Sequence, residues 1–71
     1  MANKKYLRAY IIHGGRRYEN SDTIMKDFEI SLKYLRKARK NGLRYVLQDG
    51  NYYYNAEDVM AYKIILSIQL L

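Results

Sequence analysis

The spacing of apolar positions changes several times along this chain, and each change marks an element. Residues 5–12, KYLRAYII, are rich in tyrosine and β-branched side chains and predict a strand. His13-Gly14-Gly15 predicts a tight turn, because glycine supplies the positive φ that a two-residue hairpin needs, and RRYE returns as a second strand. Asn20-Ser21-Asp22 offers a helix N-cap, where a short polar side chain accepts from an unpaired backbone N–H. Ile24, Met25 and Phe28 follow at helical spacing and predict a short helix over 21–28. Ile30-Ser31 breaks that helix and caps the next, in which Leu32, Leu35 and Ala38 make a narrow inward stripe closed by Asn41-Gly42. RYVLQ, an Asp49-Gly50 turn and NYYYN then read as a second hairpin, with Tyr53 inward and its neighbours partly exposed. Asn55 caps a last helix that runs from about Ala56 into an apolar tail.

The stretches 10–25 and 45–60 echo one another at an offset of 35. They share Tyr10/Tyr45, Gly15/Gly50, Tyr18/Tyr53, Asn20/Asn55 and Met25/Met60. Two hairpins that each feed a capped helix recruit similar residues for geometric reasons alone; duplication of a ββα unit is the sharper reading. The expected class is therefore α+β, in the order ββααββα, with a pseudo-duplicated ββα-ββα arrangement as the alternative.

At 71 residues the chain is expected to be one domain, 1–71, with a compact core. It has no cysteine and one histidine, which excludes disulfides and a multi-ligand zinc site. Neither a signal peptide nor a membrane span is expected, since the apolar stretch IILSIQLL is too short to cross a bilayer. A cytoplasmic location fits these features.

Charge sharpens the picture more than composition does. The net charge is +6, and six cations (Lys33, Arg36, Lys37, Arg39, Lys40, Arg44) fall in residues 31–48 with no acid among them. Asp22, Asp27 and Glu29 precede this stretch, and Asp49, Glu57 and Asp58 come after it. A helix that is merely solvated usually mixes signs through i,i+4 pairs, whereas focused charge is an electrostatic footprint for a polyanion.

A capped helix carrying Ile24, Met25 and Phe28 leads into Ile30-Ser31, which opens a basic helix. Gly42-Leu43 stands eleven and twelve residues after that serine, ahead of a hairpin and the Glu57-Asp58-Val59 and Tyr62 cluster. Over residues 20–62 this order resembles the excisionase and MerR-like family of small phage and mobile-element DNA-binding proteins. The sequence departs from that pattern in four ways. Glu29 stands where the family usually has glycine, and the segment from the wing glycine to Asp58 is one residue short. A hairpin at 5–19 is added in front, and an apolar extension at 63–71 behind.

The resemblance implies a winged helix-turn-helix that binds duplex DNA without catalysis. Its role would be that of an excisionase-like recombination directionality factor or a small phage transcription regulator. Lys33, Tyr34, Arg36 and Lys37 would face base edges, while Arg39, Lys40 and Arg44 touch phosphates. Ser31 would donate to a phosphate from the helix start, and Gln48, Asn51 and Tyr52 would be wing contacts. Arg16 and Arg17 offer a second basic patch. Partners would be double-stranded DNA, further copies as a homodimer or cooperative array, and an integrase or host protein.

Other chemistry finds little footing. His13 reads as a turn residue, Ser31 as a cap rather than a nucleophile, and Glu57-Asp58 as acids favoured by the helix dipole, so no enzyme and no cofactor are expected. Two alternatives stand beside duplex binding. The nine tyrosines could stack unpaired bases in a single-strand or RNA-binding module. The apolar positions Val59, Met60, Ile64, Ile65, Leu66, Ile68, Leu70 and Leu71 exceed what one helix face hides, half of them being expected to pack on the first hairpin. The remainder suggests a dimer, or a phage-encoded interaction protein that inhibits a host factor.

Overall fold

The computed structural model describes residues 4–69. A 3-10 turn, Lys4–Tyr6, precedes strands β1 (Tyr10–His13) and β2 (Arg16–Asn20), helices α1 (Ser21–Phe28) and α2 (Leu32–Lys40), strands β3 (Val46–Gln48) and β4 (Asn51–Tyr54), and helix α3 (Ala56–Gln69). The result is an α+β fold around one antiparallel four-stranded sheet of order β1-β2-β4-β3. The N-terminal hairpin is thus not an appendage. It extends the second hairpin's sheet through the β2–β4 pairing, Glu19 opposite Tyr54 and Asn20 opposite Tyr53.

Both hairpins close through two residues with positive φ, Gly14 and Gly15 at 58° and 77° and Asp49 and Gly50 at 53° and 76°. These are the dihedrals of the turn whose twist matches the flanking strands. The register carries the sequence echo into three dimensions. Shifting by 35 residues, which takes Tyr10 to Tyr45, maps Ile11 opposite Tyr18 onto Val46 opposite Tyr53. It likewise maps Ile12 opposite Arg17 onto Leu47 opposite Tyr52. Glu19 and Tyr54, equivalent under the same shift, pair with each other, so a local twofold passes between β2 and β4. The equivalent asparagines cap equivalent helices: Asn20 Oδ1 accepts from Thr23 N at 2.8 Å and Asn55 Oδ1 from Asp58 N at 3.0 Å.

One core cluster joins Ile24 of α1, Leu35 and Ala38 of α2, Leu43, Tyr54 of β4 and Val59 of α3. A smaller one holds Ile11, Tyr18 and Tyr53, with Val46 against it. Adjacent residues of β4 point to opposite sides, and here both sides are packed, so Tyr53 and Tyr54 are both fully buried. That corrects the expectation of a partly exposed Tyr54.

Three further expectations are revised. The first strand spans 10–13 rather than 5–12, because β2 gives way to α1 after Asn20 and leaves residues 5–9 without a ladder to join; Asn20 instead ties that segment through Ala9 O and Arg8 O. Leu32 is 45% exposed, because steps of three residues drift by about 60° around a helix and carry it out of the stripe formed by Leu35 and Ala38. Helix α3 packs Val59 on the α1–α2 cluster, not on the first hairpin, which it meets through polar contacts from Asn55 and Asp58. Leu70 and Leu71 lie outside the described residues.

The break between α1 and α2 is built on the backbone. Glu29 takes a left-handed conformation (φ 52°, ψ 48°), and Ile30 N donates to Met25 O at 3.0 Å. This six-to-one bond, with Ile30 and Met25 both packed on the core, is the C-terminal closure that normally recruits glycine at the left-handed position. The Ser31 hydroxyl oxygen then accepts from Tyr34 N at 3.0 Å and starts α2.

Candidate nucleic-acid interface

Helix α2 has two opposed faces. Leu35 and Ala38, both at zero exposure, fix its inner side. Lys33, Arg36, Lys37 and Lys40 recur at i, i+3, i+4 and i+7, form one stripe diametrically opposite, and are all exposed. Among the described residues the ion pairs are Arg16–Asp58 and Arg17–Glu19, so no acid neutralises this stripe. Ser31 is exposed at the start of the helix, and Arg44 is exposed in the loop that leads to β3.

The other cations anticipated from the sequence have specific attachments. Arg39 lies with its guanidinium 3.9 Å from the Tyr52 ring centroid and donates to the buried Tyr54 hydroxyl. It ties α2 to β4, and so to the second hairpin. Arg16 donates to Asp58 Oδ1 at 2.9 Å; that bond holds its guanidinium charged even beyond the usual arginine range. Arg17 stacks 3.9 Å from the Tyr10 ring centroid and lies 3.7 Å from Glu19. The first hairpin therefore has acids beside both of its arginines, unlike the α2 stripe.

The tip of the second hairpin is mixed. Gln48 is exposed, whereas Asn51 is 4% exposed and donates to Asp49 O at 3.2 Å, stiffening the turn. Tyr52 is half-buried beneath Arg39, and Tyr34 is half-buried with its ring edge-on to Tyr62 at 6.1 Å. Burial raises the Tyr34 phenol above its ordinary pKa, with Tyr62 adding to the effect. Of the nine tyrosines, Tyr18, Tyr53 and Tyr54 are buried, while Tyr6, Tyr10 and Tyr45 are exposed.

Between α1, α2, the second hairpin and the N-terminal turn runs a groove of about 460 Å³, lined by Leu7, Met25, Leu32 and Leu47 with Lys4, Arg36 and the acid Asp22 beside them. Lys4 was not among the residues anticipated. The lysine pair at positions 4 and 5 was visible in the sequence, but only the fold brings Lys4 to the flank of α2. No helix among the described residues is long and apolar enough to cross a membrane.

Comparison with protein-family models finds no match, and comparisons with curated proteins and with solved structures find none either.

Proposed function

We propose that this chain is a winged helix-turn-helix protein that binds duplex DNA without catalysis. In this reading α1, the Glu29-Ile30-Ser31 turn and α2 are the helix-turn-helix, and β3–β4 is the wing. The observation that carries it is the unpaired stripe Lys33, Arg36, Lys37 and Lys40, presented by a helix whose opposite side is locked into the core. A helix of this diameter fits the major groove, where long cationic side chains reach both base edges and phosphates. Lys33, Arg36 and Lys37 lie in the first two-thirds of α2 and would reach base edges and the phosphates that flank them, with Tyr34 beside them. Lys40 and Arg44 would contact phosphates, as would Ser31 at the helix start. Gln48 is the wing-tip contact. Arg39 would set the angle between helix and wing rather than touch DNA, and Asn51 and Tyr52 would hold the wing's shape. Lys4 adds a further cation at the groove, which Asp22 also lines.

The biological role that fits a small non-enzymatic duplex binder of this kind is that of an excisionase-like directionality factor or a phage transcription regulator. Changing Arg36 and Lys37 together to alanine should abolish duplex binding while circular dichroism and thermal unfolding stay as in the parent protein. A double variant that keeps its fold and binds duplexes normally would overturn the assignment. Selection of bound duplexes from a random pool would then define the site.

A second reading is favoured by the groove, where Leu32 and Leu47 are 45% and 54% exposed beside cations. It is an interaction protein that inhibits a host factor. Affinity capture that survives the Arg36/Lys37 change but fails on a Leu32→Ser, Leu47→Ser variant would favour it.

A further inference from the structure

Under the 35-residue equivalence, Glu29, where the first unit ends its helix and turns back, corresponds to Ile64. The second unit does not turn there, and α3 runs on through Gln69. The end of α3 beyond Lys63 therefore has no counterpart of α2 folded against it. Ile64, Ile65 and Ile68 are 53%, 53% and 61% exposed, and Ala61 is exposed too. These four stand at i, i+3, i+4 and i+7, a continuous apolar stripe about 100° wide. Lys63 is turned away from the stripe and donates to Phe28 O at 3.2 Å.

We infer that this stripe docks a second copy of the same chain, through antiparallel pairing of the two α3 helices about a twofold axis. Self-complementarity argues for that occupant. With the axis between positions 64 and 65, Ile64 of one copy meets Ile65 of the other, and Ala61 meets Ile68. Each contact layer is then apolar, and the small alanine opposite isoleucine allows close helix approach. Electrostatics selects the same surface. At a net charge of +6 two copies repel, and Ala61, Ile64, Ile65 and Ile68 carry no charge themselves, with Arg44 and Asp58, of opposite sign, lining the hollow beside Ala61 and Ile65. Antiparallel pairing also sets the helix dipoles against each other favourably. A stripe of four residues makes a small interface, so the dimer is reversible and depends on concentration. This inference does not depend on DNA binding.

The test is light scattering on the full chain across concentrations from about 1 μM to 1 mM. The mass should rise from 8.5 kDa towards twice that value. An Ile64→Lys, Ile68→Lys variant should remain monomeric throughout. Ile12→Lys, at a 63% exposed position on the edge strand β1, should dimerise like the parent. Because all three positions are exposed, unfolding does not confound the comparison, and thermal melts check it. A parent chain that stays monomeric at every concentration would overturn the inference. So would a dimer that survives the double change, or one lost in Ile12→Lys.

Discussion

Replacing Glu29 by glycine should stabilise the protein, although it removes a side chain from a charged surface. Glu29 sits at φ 52°, ψ 48°, its side chain is exposed, and none of the ion pairs among the described residues involves it. An L-residue in this region carries about 1–2 kcal/mol of steric cost. Glycine removes that cost but loses roughly 0.5–1 kcal/mol of backbone entropy on folding. The net gain should be about 0.5–1 kcal/mol, which for a domain of this size raises the midpoint of thermal unfolding by about 3–6 °C. The proper reference is Glu29→Ala rather than the parent. Alanine also removes a negative charge from the unfavourable C-terminal end of α1, yet keeps the Cβ that causes the clash. Urea and thermal unfolding of the three proteins give the comparison. Should Glu29→Gly prove no more stable than Glu29→Ala, the left-handed closure of α1 is wrong, and the proposed helix-turn-helix reading that rests on it fails too.

Arg39→Ala should cost about 2 kcal/mol, from a ring contact worth about 0.5–1 kcal/mol and a charged hydrogen bond of roughly 1.5 kcal/mol. The salt dependence of duplex binding should nevertheless stay as in the parent, because Arg39 is engaged with Tyr52 and Tyr54 rather than free; a reduced salt slope in gel shifts would put it on the DNA instead. Burial raises the Tyr54 phenol above its ordinary 10.0, against the opposing pull of Arg39, so the folded state holds this proton more tightly than the unfolded chain. The associated stability is complete below pH 10 and is lost as pH rises through the raised value. Urea titrations at rising pH should show Tyr54→Phe less stable at neutral pH, and with a shallower alkaline decline; an unchanged decline would remove Tyr54 from that role.

The order of elements was legible because local signals agreed with one another. Two turns with glycine, two asparagine caps and Ser31 each mark a boundary that the backbone then obeys. The exposure of Lys33, Arg36, Lys37 and Lys40 was legible too, since it follows from burial of Leu35 and Ala38 on the opposite face. What the sequence hid was long-range. The joining of the two hairpins into one sheet depends on Glu19 pairing with Tyr54, and no local pattern announces a contact between such distant residues. The passage of β2 into α1 after Asn20 shortens the first strand, since no strand lies opposite residues 5–9. Arg16, Arg17 and Arg39 looked equivalent to the α2 cations as letters. Strand alternation sets Glu19 on the same face as Arg17, but only the fold brings Asp58 to Arg16 and Tyr52 and Tyr54 to Arg39. Composition reports a cation, but availability is set by what the tertiary structure places beside it.

Salt dependence of duplex binding tests the central claim most directly. If the four stripe residues each displace a counterion from DNA, log affinity should fall against log salt with a slope of about −3.6, and near −4.5 if Arg44 also engages. Replacing Lys33 and Lys40 by glutamine should make that slope shallower by about 2, while Arg16→Gln should leave it unchanged. A slope near zero for the parent chain, or one that answers to Arg16 and ignores Lys33 and Lys40, would contradict the account.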